Sequence, residues 1–126
     1  MRRISVAATA LGLLAAVAPA HAQSWPTKPV RFVIPYAPGG IADIAARIIG
    51  AKLTDAWGQQ IVVENRPGGN GFIGVSTVAK AAPDGYTLLI AAVGDFALNP
   101  VLFKDMPYDV DKDLVPITAL TDTPCV

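Results

Sequence analysis

Two adjacent glycines, Gly39 and Gly40, separate a strand-like apolar run from an amphipathic helical pattern. A helix N-terminus has unpaired backbone N–H groups and the positive end of the helix dipole, so anions bind there. Glycines ahead of the helix let a ligand approach the main chain closely, because no Cβ stands in the way. This spacing predicts an anion-binding loop at residues 36–43.

Two further loops with glycine follow predicted strands, at Asn65–Gly71 ("NRPGGNG") and at Val93–Phe96 ("VGDF"). In a parallel sheet, every strand-to-helix loop lies at the edge formed by the carboxyl ends of the strands. We therefore expect the three loops to converge. Each loop has a plainer explanation as well, since Pro and Gly also serve simply to turn the chain.

The sequence restricts which anion these loops would bind. Gly39 and Gly40 are followed by no Lys-Ser or Lys-Thr pair, so the P-loop pattern is absent. Gly69–Gly74 matches the dinucleotide pattern G-x-G-x-x-G, and a nucleotide-using enzyme domain is the alternative that this match leaves open. The first loop contains no Lys or Arg. Binding by backbone amides alone suits a small carboxylate better than a nucleotide.

Side chains suited to catalysis are scarce. The only histidine, His21, falls in a segment predicted to be removed, which eliminates the commonest metal ligand and general base. The only cysteine, Cys125, cannot form an internal disulfide. Asp43 stands where an anion would bind, and we interpret it as capping the helix or bracing the loop. No suitable catalytic partner for it lies nearby in sequence.

The elements that hold these loops alternate between strand and helix three times, at spacings typical of right-handed parallel crossovers. The sequence therefore predicts an α/β fold with a doubly wound parallel sheet. Strands are expected at Val30–Pro35, Ile61–Glu64 and Tyr86–Ala92, helices at Ile41–Trp57 and Phe72–Ala82 with a helical or irregular piece at residues 99–103, and a broken fourth strand at Leu114–Leu120.

Residues 1–22 have the pattern of an export signal, with a basic start, an apolar run at Ile4–Val17 and a small-x-small cleavage site ending at Ala22. An uncleaved anchor is the alternative, although the run is shorter than the ~20 residues of a membrane span. Residues 23–126 would then form the mature chain, large enough for one α/β core. It has eight basic and ten acidic residues, a formal net charge of −2, which gives no support to nucleic-acid binding.

Five segments, in register along the whole mature chain, resemble the Bug family, the TctC-like extracytoplasmic solute receptors of tripartite tricarboxylate transporters. Several motifs in the same order are far more specific than any one of them. The segments are "KPVRFVIPYAPGGIADIAAR" (Lys28–Arg47), "GQQIVVENRPGGNGFIG" (Gly58–Gly74), "VAKAAPDGYTLL" (Val78–Leu89), "NPVLF" (Asn99–Phe103) and "PYDVDKDLVPI" (Pro107–Ile117).

The resemblance implies a periplasmic-binding-protein fold, in which two lobes close over a small ligand without catalysis and without a cofactor. Residues 23–126 would be an incomplete N-terminal lobe, with the second lobe absent. The intact protein would capture a small carboxylate in the periplasm and deliver it to membrane permease subunits. Two alternatives stay open: an orphan receptor that contacts a sensor protein, and a non-functional truncated remnant.

The resemblance also implies which residues bind the ligand. The first loop would hold a carboxylate through main-chain N–H groups and ordered waters, with Tyr36 at the pocket wall, and the other two loops would form further walls. The expected ligand-binding residues are Tyr36, Ala37, Gly39, Gly40, Ile41, Ala42 and Asp43 in the first loop, Gly69, Asn70, Gly71 and Phe72 in the second, and Val93, Gly94 and Asp95 in the third.

Two positions depart from the family pattern. The third loop of family members often carries Ser or Thr where this chain has apolar residues and Asp95. If Asp95 faces the cleft, it would repel a dicarboxylate or favour an amino or amide group, whereas if it caps a helix start it says nothing about the ligand. Ile41 and Ala42 are bulkier and less polar than the usual residues after the glycine pair, which would narrow the cleft.

Overall fold

The protein is described by a computed structural model over residues 25–121; the predicted signal peptide (1–22) and Cys125 lie outside the described residues. None of the helices in this range is both long and apolar enough to cross a membrane. The elements are β1 (Val30–Ile34), α1 (Ile41–Trp57), β2 (Ile61–Asn65), a 3-10 turn (Gly69–Gly71), α2 (Phe72–Ala79), β3 (Thr87–Leu89), a π-helical turn (Gly94–Leu98), α3 (Asn99–Leu102) and α4 (Val110–Asp113).

The described strands form one parallel sheet in the order β2-β1-β3. Val30 pairs with Ile61 on one side of β1, and Phe32 pairs with Leu88 on the other. The connection from β1 to β2 therefore runs to one side of β1. The connection from β2 to β3 crosses back past β1 to its other side. Right-handed crossovers in opposite directions place α1 and α2 on opposite faces of the sheet. The predicted α/β fold with a doubly wound parallel sheet is confirmed.

The central strand β1 is buried on both faces. Val30, Phe32 and Ile34 point to one face and form the main core with Ala46 of α1. Val33 points to the opposite face and is fully buried as well. A strand that is covered on both sides needs apolar residues at successive positions, which is why "VRFVI" lacks a polar/apolar alternation.

Helix α1 packs on the sheet through its small residues. Ala46 and Gly50 are buried against the sheet, and a Cβ on Gly50 would lie only 3.1 Å from Cγ2 of Ile61. This close approach turns the larger Ile44 and Ile48 outward, where they are 52% and 62% exposed. Apolar residues recur at three- and four-residue steps from Ile44, a pattern that predicts a buried stripe containing both isoleucines. For Ile44 and Ile48 that prediction is wrong.

The predicted end of α1 is confirmed. Gly58 has φ 66° and ψ 14°, and its N–H donates to the carbonyl oxygen of Thr54. Helix α2 is three residues shorter than predicted, because the Ala81 N–H bonds to the Val78 carbonyl at 2.9 Å in a tighter closing turn. Strand β3 is likewise shorter than the expected Tyr86–Ala92, although the Ile90 N–H still donates to Val33.

One prediction for the last third of the chain was wrong, and another was confirmed. Residues 114–121 form no strand; Val115 is 86% and Ile117 is 75% exposed, and Pro116 between them has no N–H to donate to a ladder. For residues 99–103 the helical alternative is observed, since Gly94–Leu98 forms a π-helical turn that continues directly into α3.

Candidate ligand-binding edge

The candidate site lies at the carboxyl ends of β1 and β3. The strand order reverses direction at β1, because β2 lies on one side of it and β3 on the other. In open parallel sheets, ligands bind outside the carboxyl ends of the strands where the order reverses. Residues 35–40 and 90–93 are the loops at this point, so the topology brings the first and third predicted loops together.

The first loop is braced by Asp43. This side chain is only 4% exposed, and its Oδ2 accepts hydrogen bonds from the Gly39 N–H at 2.9 Å and from Arg47 Nε at 3.1 Å. Nη2 of Arg47 lies 3.0 Å from Oδ1, without a well-aligned hydrogen bond. The Arg47 guanidinium first, and then the Gly39 amide, lower the pKa of Asp43. Of the two predicted roles for Asp43, bracing the loop is the one observed.

The N-terminus of α1 is left open. Gly40 is the N-cap residue, with φ −76° and ψ 171°, and within the described chain no side chain caps this end. The Ile44 N–H is the first to reach a helical acceptor, the Gly40 carbonyl at 3.0 Å. Ala37, Gly39, Gly40 and Ile41 are all exposed. The positive end of a 17-residue helix therefore lies at an exposed part of the chain.

The first and third loops are joined by Tyr36 and Asp95. The Tyr36 hydroxyl donates to Oδ2 of Asp95 and accepts a hydrogen bond from the Ala92 N–H at 2.8 Å. Burial, followed by the hydrogen bond to Asp95, raises the pKa of Tyr36 to about 12. The Ala92 N–H also lies 3.2 Å from Oδ2 of Asp95. Asp95 is thus a buried acceptor just inside the π-helical turn and not a free carboxylate on the surface.

The second loop meets the start of α3 through two asparagines. Nδ2 of Asn70 donates to Oδ1 of Asn99 at 2.9 Å, and Nδ2 of Asn99 donates to the Asn70 carbonyl at 3.3 Å. Asn70 has a positive φ of 54°, a conformation that asparagine tolerates better than most residues. Gly71 is also left-handed, and a Cβ there would lie 2.6 Å from Oδ1 of Asp95. All three predicted loops are therefore in contact.

Packing explains the third glycine of the G-x-G-x-x-G match. A Cβ on Gly74 would lie 2.7 Å from Cα of Pro35 and 2.9 Å from the Arg66 carbonyl oxygen. Gly74 therefore lets α2 sit against the chain leaving β1. Nearby, Nδ2 of Asn65 donates to the Tyr36 carbonyl at 3.1 Å, which ties the end of β2 to the first loop.

The other predicted residues are placed in different ways. Val93 is 76% exposed at the edge, and Ala42 and Gly94 are partly buried. The Phe72 ring packs edge-on against Phe103 at 5.2 Å, so it stabilises the contact between α2 and the segment after α3. Sequence reasoning missed Asn65 and Asn99. Asn65 begins the predicted second loop but was not among its expected binding residues, and Asn99 precedes a proline at a position without a functional signal.

Two open depressions lie on the surface beside the second and third loops. One of about 560 Å³ is lined by Phe96, Phe103 and Tyr108 among others, and one of about 400 Å³ by Phe72, Ser76 and Lys80 among others. Neither of these two depressions includes a residue of the first loop. Among residues 25–121, no group of three His, Cys, Asp or Glu side chains could hold a metal ion.

Solved structures share this architecture. The R. palustris protein Rpa4515 with adipate has a TM-score of 0.66 at 42% identity, over 69% of this chain and 29% of that chain. MatC (Rpa3494) from Rhodopseudomonas palustris with bound malate has a TM-score of 0.66 at 39% identity, over 71% of this chain and 30% of that chain. The fold and its loop edge define part of a periplasmic-binding-protein-like lobe.

The sequence comparisons define the family. The profile described as tripartite tricarboxylate transporter family receptor, TctC, matches residues 45–126. Protein BugT of Bordetella pertussis is 41% identical over 110 residues, which are 86% of this chain and 34% of BugT. This chain belongs to the TctC receptor family, as the Bug resemblance predicted. Its members are periplasmic solute-binding receptors and not enzymes.

The chain is short relative to its family. It spans 33%, 38% and 34% of the length of the first curated relatives that it matches.

Proposed function

We propose that this chain supplies the carboxylate-binding edge of a periplasmic receptor for a tripartite tricarboxylate-type transporter. The observation that carries the proposal is the open N-terminus of α1, where Gly39 and Gly40 leave the main chain accessible. The adipate-bound and malate-bound structures of related proteins support a carboxylate as the ligand. The proposed ligand-binding residues remain those of the three loops: residues 36, 37 and 39–43, 69–72, and 93–95.

Asp43 does not prevent an anion from binding next to it. Its carboxylate is turned back onto Gly39 and Arg47, and the guanidinium offsets its charge. A ligand carboxylate would then accept hydrogen bonds from the N–H groups of Ile41 and Ala42 at the positive end of α1. A helix N-terminus stabilises an anion by about 0.3–1 kcal/mol. Since millimolar affinity needs about 4 kcal/mol, we expect this lobe by itself to bind weakly.

The cellular role is also part of the proposal. The chain would be exported with cleavage near Ala22 and would act in the periplasm, where the intact receptor delivers its ligand to permease subunits. Neighbouring genes distinguish transport from signalling. Permease genes beside this one would support transport, whereas a sensor kinase gene would favour the orphan-receptor alternative.

The binding site is tested by titrating ¹⁵N-labelled chain with adipate and with malate while amide shifts are recorded by NMR. We expect the largest shifts at Gly40, Ile41 and Ala42, and none at Lys28 or Asp84 at the opposite end of the sheet. The uncharged diamide of adipic acid should leave all of these amides unchanged. If neither dicarboxylate shifts the first-turn amides, the proposed function is wrong.

One substitution removes a binding N–H without breaking the helix. Ile41→Pro places proline at the first helical position, where its fixed φ is tolerated, and Gly40 before it already has the extended conformation that proline requires. We expect several-fold weaker binding of adipate with an unchanged far-UV circular dichroism spectrum. The matched control Ile41→Ala removes the side chain and keeps the N–H, so its affinity should stay close to that of the parent chain.

A further inference from the structure

The single proton of the Tyr36 hydroxyl is already donated in a hydrogen bond within the protein. A phenol has one donor hydrogen and two acceptor lone pairs. Tyr36 donates to Oδ2 of Asp95 and accepts from the Ala92 N–H at 2.8 Å, which leaves one lone pair. Tyr36 is partly exposed and Ala92 is exposed, whereas Asp95 is buried. Toward a molecule at this edge, the Tyr36 hydroxyl can therefore accept a hydrogen bond but cannot donate one.

Asp95 holds this arrangement in place. Its carboxylate is 6% exposed, and the Ala92 N–H lies 3.2 Å from the same Oδ2 that receives the Tyr36 proton. Its other oxygen, Oδ1, occupies the space that a Cβ on Gly71 would need. None of the ion pairs in the described part of the chain includes Asp95. The Asp95 carboxylate is enclosed by the three loops and has no cationic partner in the described part of the chain. Its negative charge therefore lies directly behind the Tyr36 hydroxyl.

We infer that Tyr36 and Asp95 form a wall of the ligand site that accepts hydrogen bonds without donating them, so that Asp95 determines specificity by acting through Tyr36. The inference rests on the proposed function, in which one ligand carboxylate binds the first-turn amides of α1. The same ligand then presents a donor to Tyr36, such as an ammonium, an amide N–H or a hydroxyl. A second carboxylate at this position meets a lone pair and a nearby negative charge, and is disfavoured.

The test compares adipate with its monoamide, two ligands with the same carbon skeleton, by NMR titration of the parent chain and of Asp95→Asn. The parent chain should bind the monoamide about fivefold more tightly, because unit charges about 4 Å apart in water interact by about 1 kcal/mol. Asp95→Asn keeps an acceptor oxygen for Tyr36 and removes the charge, so the ratio should fall toward one. The control Asp84→Asn, at the opposite end of the sheet, should keep the parent ratio.

The outcomes separate this inference from the proposed function. If Asp95 were only structural, Asp95→Asn would weaken both ligands by the same factor and leave the ratio unchanged, which would overturn the inference alone. If neither ligand shifts the amides of Ile41 and Ala42 in the parent chain, the proposed function fails and the inference falls with it.

A second measurement needs no ligand. The ¹³Cζ shift of Tyr36 is followed from about pH 8 to 11, with Tyr36→Phe used to assign the signal against Tyr86 and Tyr108. In Asp95→Asn the phenol should begin to titrate at lower pH than in the parent chain, because the buried acceptor that holds its proton has lost its charge. An identical onset in both proteins would show that Asp95 does not control the hydroxyl, and would overturn the inference.

Discussion

The two ends of the sheet are held together by different kinds of interaction. At the amino end, the Trp25 ring packs against Trp57 at 5.0 Å and against Tyr86 at 5.8 Å, and Nζ of Lys28 lies 4.3 Å from the centre of the Tyr86 ring. The Tyr86 hydroxyl accepts a hydrogen bond from the Thr27 N–H at 2.9 Å. The carboxyl end has three glycine-bearing loops, joined mainly by hydrogen bonds of Tyr36, Asn70 and their partners.

This difference assigns different roles to the two ends: the amino end contributes stability, and the carboxyl end also contributes the proposed ligand site. Aromatic rings bury large areas, so the amino end contributes mainly packing energy. Hydrogen bonds at the carboxyl end need exact partners, and glycines there leave backbone N–H groups accessible. We therefore expect substitutions at the amino end to change stability alone. Substitutions at the carboxyl end should change stability, ligand binding, or both.

The largest effect is expected at Gly74, where the carboxyl end is most tightly packed. In Gly74→Ala the new Cβ would lie 2.7 Å from Pro35 and 2.9 Å from the Arg66 carbonyl, and backbone must move to admit it. We expect the free energy of unfolding, measured by urea denaturation, to fall by about 2–3 kcal/mol. Gly94→Ala is the matched control, since its nearest neighbour is 3.8 Å away. Equal losses in both variants would contradict the packing role of Gly74.

At the amino end, Trp57→Ala should lower the free energy of unfolding by about 2 kcal/mol, less than for a fully buried tryptophan, because the side chain is partly exposed. The affinity of the folded variant for adipate should not change. Tyr86→Phe keeps the ring and removes only the hydroxyl that Thr27 uses, so its cost should be about 1 kcal/mol. A folded Trp57→Ala chain that no longer binds adipate would break the distinction between the two ends.

Asp43 gives the carboxyl end a pH dependence. Arg47 and the Gly39 amide lower the pKa of Asp43 in the folded state, so its contribution is complete above the ordinary carboxyl pKa of about 3.9 and is lost as the pH falls through the lower folded value. Asp43→Asn should therefore lose less stability than the parent chain on acidification, and should be less stable at neutral pH. Urea denaturation at neutral pH and at a pH below about 3.9 measures the free energy of unfolding of both proteins. Parallel pH profiles for the two proteins would argue against the bracing role of Asp43.

The smallest expected effect is none at all. Both tryptophans of the chain, Trp25 and Trp57, lie at the amino end, remote from the proposed site. Saturating adipate should leave their fluorescence emission unchanged while it shifts the amides of Ile41 and Ala42. A change in emission that follows the same binding curve would show that the two ends are coupled.

Local pattern predicted the elements near the site correctly. The mostly apolar run at 30–34, the helical period after Ile41 and a glycine at position 58 predicted β1, α1 and its C-terminal cap, because each reflects short-range backbone and burial preferences. The strand predicted at 114–120 failed since an apolar run becomes a strand only when a neighbouring strand is available to pair with it. The predicted burial of Ile44 and Ile48 was wrong because the small Ala46 and Gly50 allow α1 to pack more closely on the sheet, which periodicity does not reveal.

The sequence by itself determined the α/β class, the glycine loop ahead of α1 and the family, since all three depend on residue types in order along the chain. Tertiary structure alone decided which polar groups meet. Tyr36 and Asp95 are 59 residues apart, and Asn70 and Asn99 are 29 apart. Their pairing follows from parallel strands that bring distant loops to one edge, a consequence of topology that no local pattern contains.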